Sequence, residues 1–447
     1  MCVPMSESRN LEETMCMKPT TLGIVACLLV SFFPLAALAA PTGDTLTLSR
    51  LVTDALRSNG ELLALRDELG IAEAEAVRAG LHPDPVLELG LDTGDLTGSS
   101  GEDRYSVGLS REFLTFGKRR LRGAVADKGF AAVREQVRNA ERLLVLDVKA
   151  RFHGLILARE RLALARKAMA LDHELVSIAE ERFQAGDIAE IEVSMARVEE
   201  NRAQERVIAA ETEVASLRAG LAQTVGLPAE ALLEITDGMP GGGSAIDTAA
   251  LEEQALRLRP DLKALMLAKE GSSAAVELAR AERWPNVIAG IVYSHERSTE
   301  GEGAQEERTT DELLGLRLSV SLPAPSRREA LLREAMARQS AGERRVTSLR
   351  AAVVREVETA TSRLAAAENA LRLYRADILP RLEENLATVR EAYRLGETGI
   401  LNVIEEQHRH YQVNSDYLAA LHGRNLAVAQ LEAAAGIELA HKEGDNR

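Results

Sequence analysis

Cysteine is nearly missing from this 447-residue chain: the three present, Cys2, Cys16 and Cys27, all precede residue 40. A protein cut behind that point carries no disulfide and no thiol chemistry. Aromatic residues make up only 3%, too few for a platform on which bases could stack. Basic charge is also in deficit. Lys and Arg total 54 against 69 Asp and Glu, a net charge of −15. That balance excludes nucleic acid as the main partner, because binding phosphates needs clustered Lys and Arg. Catalytic signatures are lacking as well: there is no GxxxxGK[ST], no HExxH and no CxxC. No catalytic residue, cofactor or metal-ligand set is therefore expected, and ATP-driven work would come from another subunit. The eight histidines are scattered. His408 and His410 in HRHY stand two apart, a spacing that points side chains in different directions on a helix. His82 and His295 read as surface residues.

What is abundant is apolar and charged together, 46% and 28%, a mixture suited to long amphipathic helices. The N-terminus is different. From Met17, the stretch MKPTTLGIVACLLVSFFPLAALAA has a charged start at Lys18, an apolar core and the small residues Ala37, Leu38 and Ala39. It reads as a secretory signal cleaved between Ala39 and Ala40. Residues 1–39 are then a leader, with 1–16 a mis-called extension ahead of the true start. IVAC at Cys27 has the outline of a lipobox, but the apolar core runs on past it. A membrane anchor would need an apolar span of ~20 residues.

Behind the leader the chain repeats itself with a period of about 205 to 210 residues. Ala74–Leu91 matches Ala275–Tyr293, with Pro83 opposite Pro285, and Val107–Arg120 matches Leu316–Glu329. Asp147 falls opposite Glu356, Gly186 opposite Gly396, and Gly226 opposite Gly436. So long a period means a duplicated half-protein rather than a solenoid. The halves are read as residues 40–236 and 248–437, joined by the Gly/Pro-rich linker 237–247, with a polar tail 438–447. Each half is expected to hold a helix, two strands, one very long helix, a glycine break and a shorter helix. The long helices are placed at Gly117–Gln184 and Arg327–Leu395, and the helical hairpins at about 117–227 and 327–436. At ~1.5 Å per residue each long helix spans on the order of 100 Å. Such a helix packs along its length against neighbours, as in a coiled-coil hairpin.

The strands fall at about 85–113 and 285–323. Leu87, Leu89 and Leu91 share one face, as do Tyr105, Val107 and Leu109; the opposite faces carry Glu88 and Gly90, Ser106 and Gly108. Val287, Ala289, Ile291 and Tyr293 alternate in the same way, and so do Leu314, Leu316, Leu318, Val320 and Leu322. Period-two alternation means strands with one apolar face. An ordinary antiparallel sheet packed on helices would look the same. Strands of ~9 to 11 residues are also long enough to cross a bilayer at a tilt. In lipid only a closed barrel pairs every backbone group, and single-chain barrels begin at about eight strands. Four strands would need partners from other copies.

The glycines interrupt two closely matched runs, ERFQAGDIAEIEV (Glu181–Val193) and EAYRLGETGILNV (Glu391–Val403). With the doubled layout and FGKRR at Phe116–Arg120, the chain resembles the TolC-type outer-membrane efflux channels over nearly its whole mature length. Within them it looks most like the heavy-metal, CzcC/CusC-like branch. The resemblance implies a mixed, mainly α fold: helical coiled-coil hairpins forming a periplasmic tunnel, plus four strands per chain in a twelve-stranded barrel of a homotrimer. It further implies a passive exit duct in the outer membrane of a Gram-negative bacterium, embedded in the lipid bilayer. A periplasmic adaptor would couple it to an inner-membrane, proton-driven pump, with heavy-metal cations as cargo. Drug-efflux or type I secretion channels share the fold and stay open as alternatives. A periplasmic adaptor, which carries one hairpin per chain, or a coiled-coil structural protein is the reading from another class.

The resemblance also assigns residues. The hairpin tips Phe183, Ala185, Gly186, Asp187, Tyr393, Leu395, Gly396 and Glu397 would dock the adaptor, where glycine leaves no side chain in the way. Glu192, Asn402 and Glu405 are the tunnel-gate candidates. Asn402 replaces the usual acid, and Thr398 stands where the family's best-known member has arginine, which puts the family's gate-locking bonds in doubt here.

Overall fold

The computed structural model describes residues 47–94, 96, 102–227, 247–300, 307–322 and 324–439. The leader with its cysteines and the Ala39–Ala40 cleavage position, the linker up to residue 246 and the tail from 440 lie outside the described residues. The first half comprises α1 (Leu48–Ser58), α2 (Gly60–Gly80), β1 (Val86–Thr93), β2 (Asp103–Phe113), α3 (Lys118–Gln184) and α4 (Glu190–Val225). The second repeats the order: α5 (Thr248–Leu258), α6 (Pro260–Ala281), β3 (Val287–Glu300), β4 (Glu307–Val320), α7 (Pro325–Leu373), α8 (Leu379–Arg394) and α9 (Ile400–Ala435).

Three sequence expectations need correction. The first helix of each half is two helices. Asn59 turns extended (ψ 120°) between α1 and α2; its Oδ1 accepts from Leu62 N and its Nδ2 donates to Thr224 O, so the break is held from both sides. Arg259 makes the same break (ψ 124°), enforced by Pro260, because a residue before proline avoids the helical region. The second long helix starts at Pro325, not Arg327, and is interrupted by a π turn at Tyr374–Ile378. Pro380 explains the turn: it has no N–H to give, and its ring would strike a carbonyl one turn back, so the ladder widens just ahead of it. The strands have 8, 11, 14 and 14 residues, so β3 and β4 exceed the expected length.

The sheet is antiparallel throughout in the order β1-β2-β3-β4, and β2 pairs β3 across the two halves, Phe113 opposite Val287. Its apolar face is bare. Leu89 is 74% exposed and Leu316 90%, and Leu87, Leu91, Val107, Leu109, Ile291, Leu314 and Leu318 are exposed beside them. Burying a large apolar side chain is worth about 1.5–3 kcal/mol, and proteins in water rarely leave a contiguous patch of this kind uncovered. The other face carries Gly90, Gly108, Gly290 and Gly315. A Cβ on Gly290 would lie 2.8 Å from Leu109 O, so the backbones approach too closely for any larger residue. Across this concave face Glu88 of β1 meets Arg317 of β4 at 2.5 Å, over two intervening strands. The sheet is curled, with both edge strands left to pair.

Among the described residues the helices bury three separate cores. Leu51, Val148, Phe152, Leu221 and Val225 join α1, α3 and α4. Leu251, Val353, Val357, Val428 and Leu431 join α5, α7 and α9 in the matching place. The third sits near the glycine turns and mixes the halves: Leu175, Val193, Tyr393, Ile400 and Val403. With 67 residues, α3 is about 100 Å long.

Candidate functional site: the paired helical tips

Both tips end in the same backbone motif. Gly186 has φ +82°; its N–H donates to Phe183 O (2.9 Å), and Asp187 N donates to Arg182 O (2.9 Å). Gly396 has φ +80°, with Gly396 N to Tyr393 O (3.0 Å) and Glu397 N to Ala392 O (2.8 Å). This pair of bonds satisfies the last carbonyls of the helix and requires a left-handed residue, which glycine supplies without strain. Glu190 and Ile400 restart the helices one short turn later without a side-chain cap.

Ala185, Gly186, Asp187, Leu395, Gly396 and Glu397 are all exposed. Four large apolar side chains stand near them in water: Phe183, Ile191, Leu395 and Leu401. Tyr393 is the exception among the sequence-based docking residues and a correction to that set. It is 1% exposed and packs inside the third core. Its equivalent in the first half, Phe183, is on the surface, so the repeat concealed the difference. Tyr393 is instead where the two tips are joined. The Arg182 guanidinium lies 4.8 Å from its ring centroid, and Arg182 Nη1 donates to Tyr393 O at 2.9 Å. Arg390, less than one turn before Tyr393, pairs with Glu174, about two turns before Arg182.

Two of the three gate candidates, Asn402 and Glu405, line one groove. Asn402 donates to Thr398 Oγ1 at 2.6 Å, within its own turn. Together with Glu405, Thr388, Val389 and Ala392 these residues line an open groove of about 320 Å³. Glu192 lies apart, with its Oε2 shielded from solvent and unpartnered, like the Tyr393 hydroxyl. Burial raises the Tyr393 pKa, and the Glu192 charge adds to this while Arg182 opposes it.

A polar cluster further up the hairpins was missed from sequence. Asp172 of α3 is buried 3.3 Å from Arg206 of α4. Arg206 also covers the Tyr411 ring of α9 at 5.2 Å, and His408 Nε2 lies 2.8 Å from Glu199 Oε2. Burial pushes the Asp172 pKa up to about 6, against the opposing charge of Arg206. A signal was available: aligning the glycines puts Asp172 opposite Leu382, also buried. His410 lines the same small pocket and pairs with Glu383 at 3.1 Å. Among the described residues no three His, Cys, Asp or Glu side chains group as a metal site.

A curled sheet with a bare apolar face and open edges, continued by helices of about 100 Å, defines a subunit of a membrane-embedded duct, part barrel and part helical tunnel. The sequence pattern of the outer membrane efflux protein family matches residues 51–227 and 251–437, and the chain belongs to that family. Its place is the outer membrane, with the helices reaching into the periplasm. The cobalt-zinc-cadmium resistance protein CzcC of Cupriavidus metallidurans is 23% identical over 384 residues, 84% of this chain and 86% of that protein. Among solved structures, the fold is similar to that of CusC (TM-score 0.72, 18% identity, 87% of this chain and 92% of that one). The Neisseria gonorrhoeae channel MtrE is similar too (TM-score 0.70, 20% identity, covering 87% and 89%). The mainly helical class with four strands per chain thus stands.

Proposed function

We propose that three copies assemble into a twelve-stranded barrel above a helical tunnel, a passive exit duct for heavy-metal cations. The observation that carries this reading is the four-stranded sheet with its apolar outer face and two open edges. In lipid those edges must be paired, and four strands cannot close on themselves. Three copies would supply twelve. The tips, with exposed Phe183 and Leu395 beside glycine, would receive a periplasmic adaptor, which in turn holds a proton-driven inner-membrane pump. Metal cations as cargo are supported by the likeness to CzcC and by the net charge of −15, which an acidic passage would share.

The test is complementation of a strain lacking the gene, scored by survival in cobalt, zinc or cadmium. The intact gene should restore resistance, and no gain for any of the three cations would end the metal reading. Replacing both Gly186 and Gly396 by Val should spare the trimer and its insertion, seen by mild electrophoresis of outer membranes, but abolish resistance. Full resistance in that variant would show that the tips are not the docking surface.

A further inference from the structure

Phe116 to Arg120 form the corner where β2 hands over to α3. Lys118 is buried there. Its Nζ donates to Trp284 O (2.6 Å) and Asn286 Oδ1 (2.7 Å) and lies 3.3 Å from Glu282, so it ties the corner to the α6–β3 turn of the other half. Phe116 is held at φ +53°, a conformation a bulky residue takes only when its surroundings impose it. The result is a ring stacked on Trp284, centroids 4.6 Å apart, with both rings well in the open, 60% and 45% exposed. The Arg283 guanidinium stands 5.9 Å from the Trp284 ring.

Around this stack the surface is basic. Arg119 and Arg120 are exposed and have no acidic partner among the described residues. The second half repeats the pair at the start of α7. Arg327 is exposed, and Arg328 Nε is shielded from solvent without an acceptor. Both pairs lie at one level of the barrel, since Phe113 and Val320 are both register partners of Val287. Neither α3 nor α7 has an acidic residue in its first turn. Cations at a helix N-terminus oppose the helix dipole, and a bound anion at the same place removes the conflict.

We infer that this level is a phospholipid-headgroup belt. Arg119, Arg120, Arg283, Arg327 and Arg328 bind the phosphodiesters of anionic phospholipids in the periplasmic leaflet, and the Phe116–Trp284 stack sits at the headgroup boundary. The bare apolar face of the strands ends here, where amphipathic rings settle at a membrane interface. The guanidinium fork matches a phosphate in shape as well as charge. The arginines are spread along a belt on two strand ends rather than converging on one point, which suits a row of headgroups better than a single free anion.

Trp284 is the one tryptophan of the chain, so its fluorescence reads the site directly. The full-length protein is placed in phosphatidylcholine vesicles containing brominated phosphatidylglycerol or, separately, brominated phosphatidylcholine. Brominated phosphatidylglycerol should quench more strongly at equal mole fraction. The R119Q/R120Q/R327Q/R328Q variant should lose that preference by about tenfold or more. R333Q/R338Q, one to three turns deeper into the periplasm, should keep it. Trimer assembly is checked by mild electrophoresis; if the fourfold variant does not assemble, R119Q/R120Q and R327Q/R328Q are measured separately, and each should weaken the preference. Equal quenching by the two lipids in the unaltered protein, or an unchanged preference in the belt variants, overturns the inference. Loss of the preference on adding inorganic phosphate would mark a free-phosphate site and overturn it too. An absence of quenching by either lipid would place Trp284 against protein rather than headgroups, and the belt would fall with it.

Discussion

The two halves of the chain share a plan yet hold their first joint together by different chemistry. In the first half the joint between α1 and α2 is tied to the return helix by neutral groups. Ser58 Oγ donates to Val225 O (2.8 Å), and Asn59 Nδ2 to Thr224 O (2.9 Å), at the end of α4. In the second half the same place is ionic. Arg259, 3% exposed, grips Asp261 (2.6 Å), Glu356 (2.5 Å) and the Ala434 carbonyl (3.3 Å), while Arg142 reaches Ala433 O. Burial alone would raise the Asp261 pKa, but the hydrogen bonds and charge of Arg259 outweigh it and hold the group below the usual carboxylate range. Duplication kept the shape of the joint and let its chemistry drift. The difference teaches that the fold needs a helix break tied to the end of the return helix, whatever group ties it.

Arg259→Gln should break this comparison most sharply. It leaves Asp261 and Glu356 facing a partly buried site without their cation, at a cost of about 3 kcal/mol. The neutral equivalent, Asn59→Ala, loses a cap and one bond, about 1 kcal/mol. Thermal unfolding of the two variants measures both, and equal losses would make the ionic joint no more than a variant spelling of the neutral one.

A somewhat smaller effect is expected from Asp172→Leu, which gives the first hairpin the residue type the second has at Leu382. The folded-state pKa of Asp172, about 6, lies above the 3.8 of an ordinary Asp. The charged form therefore weakens the fold above pH 6, and the penalty fades as pH falls from 6 towards 4. The variant should gain about 2 kcal/mol at pH 7.5, allowing for the partner that Arg206 loses, and much less at pH 4.5. Asp261 has the opposite sign, since a depressed pKa supports stability that is lost on acidification. A gain in Asp172→Leu that does not depend on pH would show that shape rather than charge separates the hairpins.

Smallest of all should be any difference between Gly186→Ala and Gly396→Ala. Each forces a side chain into the left-handed region, about 1 kcal/mol. A Cβ on Gly186 meets nothing within 4 Å, and one on Gly396 meets only Arg182 Nη2 at 3.5 Å, an ordinary contact. Unequal melting shifts in the two variants would reveal a strain at one tip that the matching backbone geometry does not contain.

How much of this was legible depends on whether the signal was local. The strand faces could be read residue by residue, because period-two alternation is imposed by the backbone itself, and all but Leu313 of the exposed strand leucines are those the pattern named. The tips were legible through glycine, the residue their left-handed turn favours. The π turn was not read, although Pro380 announced it, because a long helical pattern runs on either side. The break at Asn59 was hidden since Asn is unremarkable inside polar helix sequence, and its reason lies 165 residues away at Thr224. Tyr393 was misplaced for a related cause. The repeat says which residues correspond, and only packing says that Phe183 faces water while Tyr393 faces the core.

The length of α3 has a consequence for how such a duct can change. Adding seven residues to it would move its tip by about 10 Å. Arg182 would then leave Tyr393, Arg390 would leave Glu174, and the mixed core around Val193 and Ile400 would come apart. The chain thus behaves as a ruler with two matched scales: to span a wider periplasm, both hairpins must lengthen by the same whole number of turns in one step.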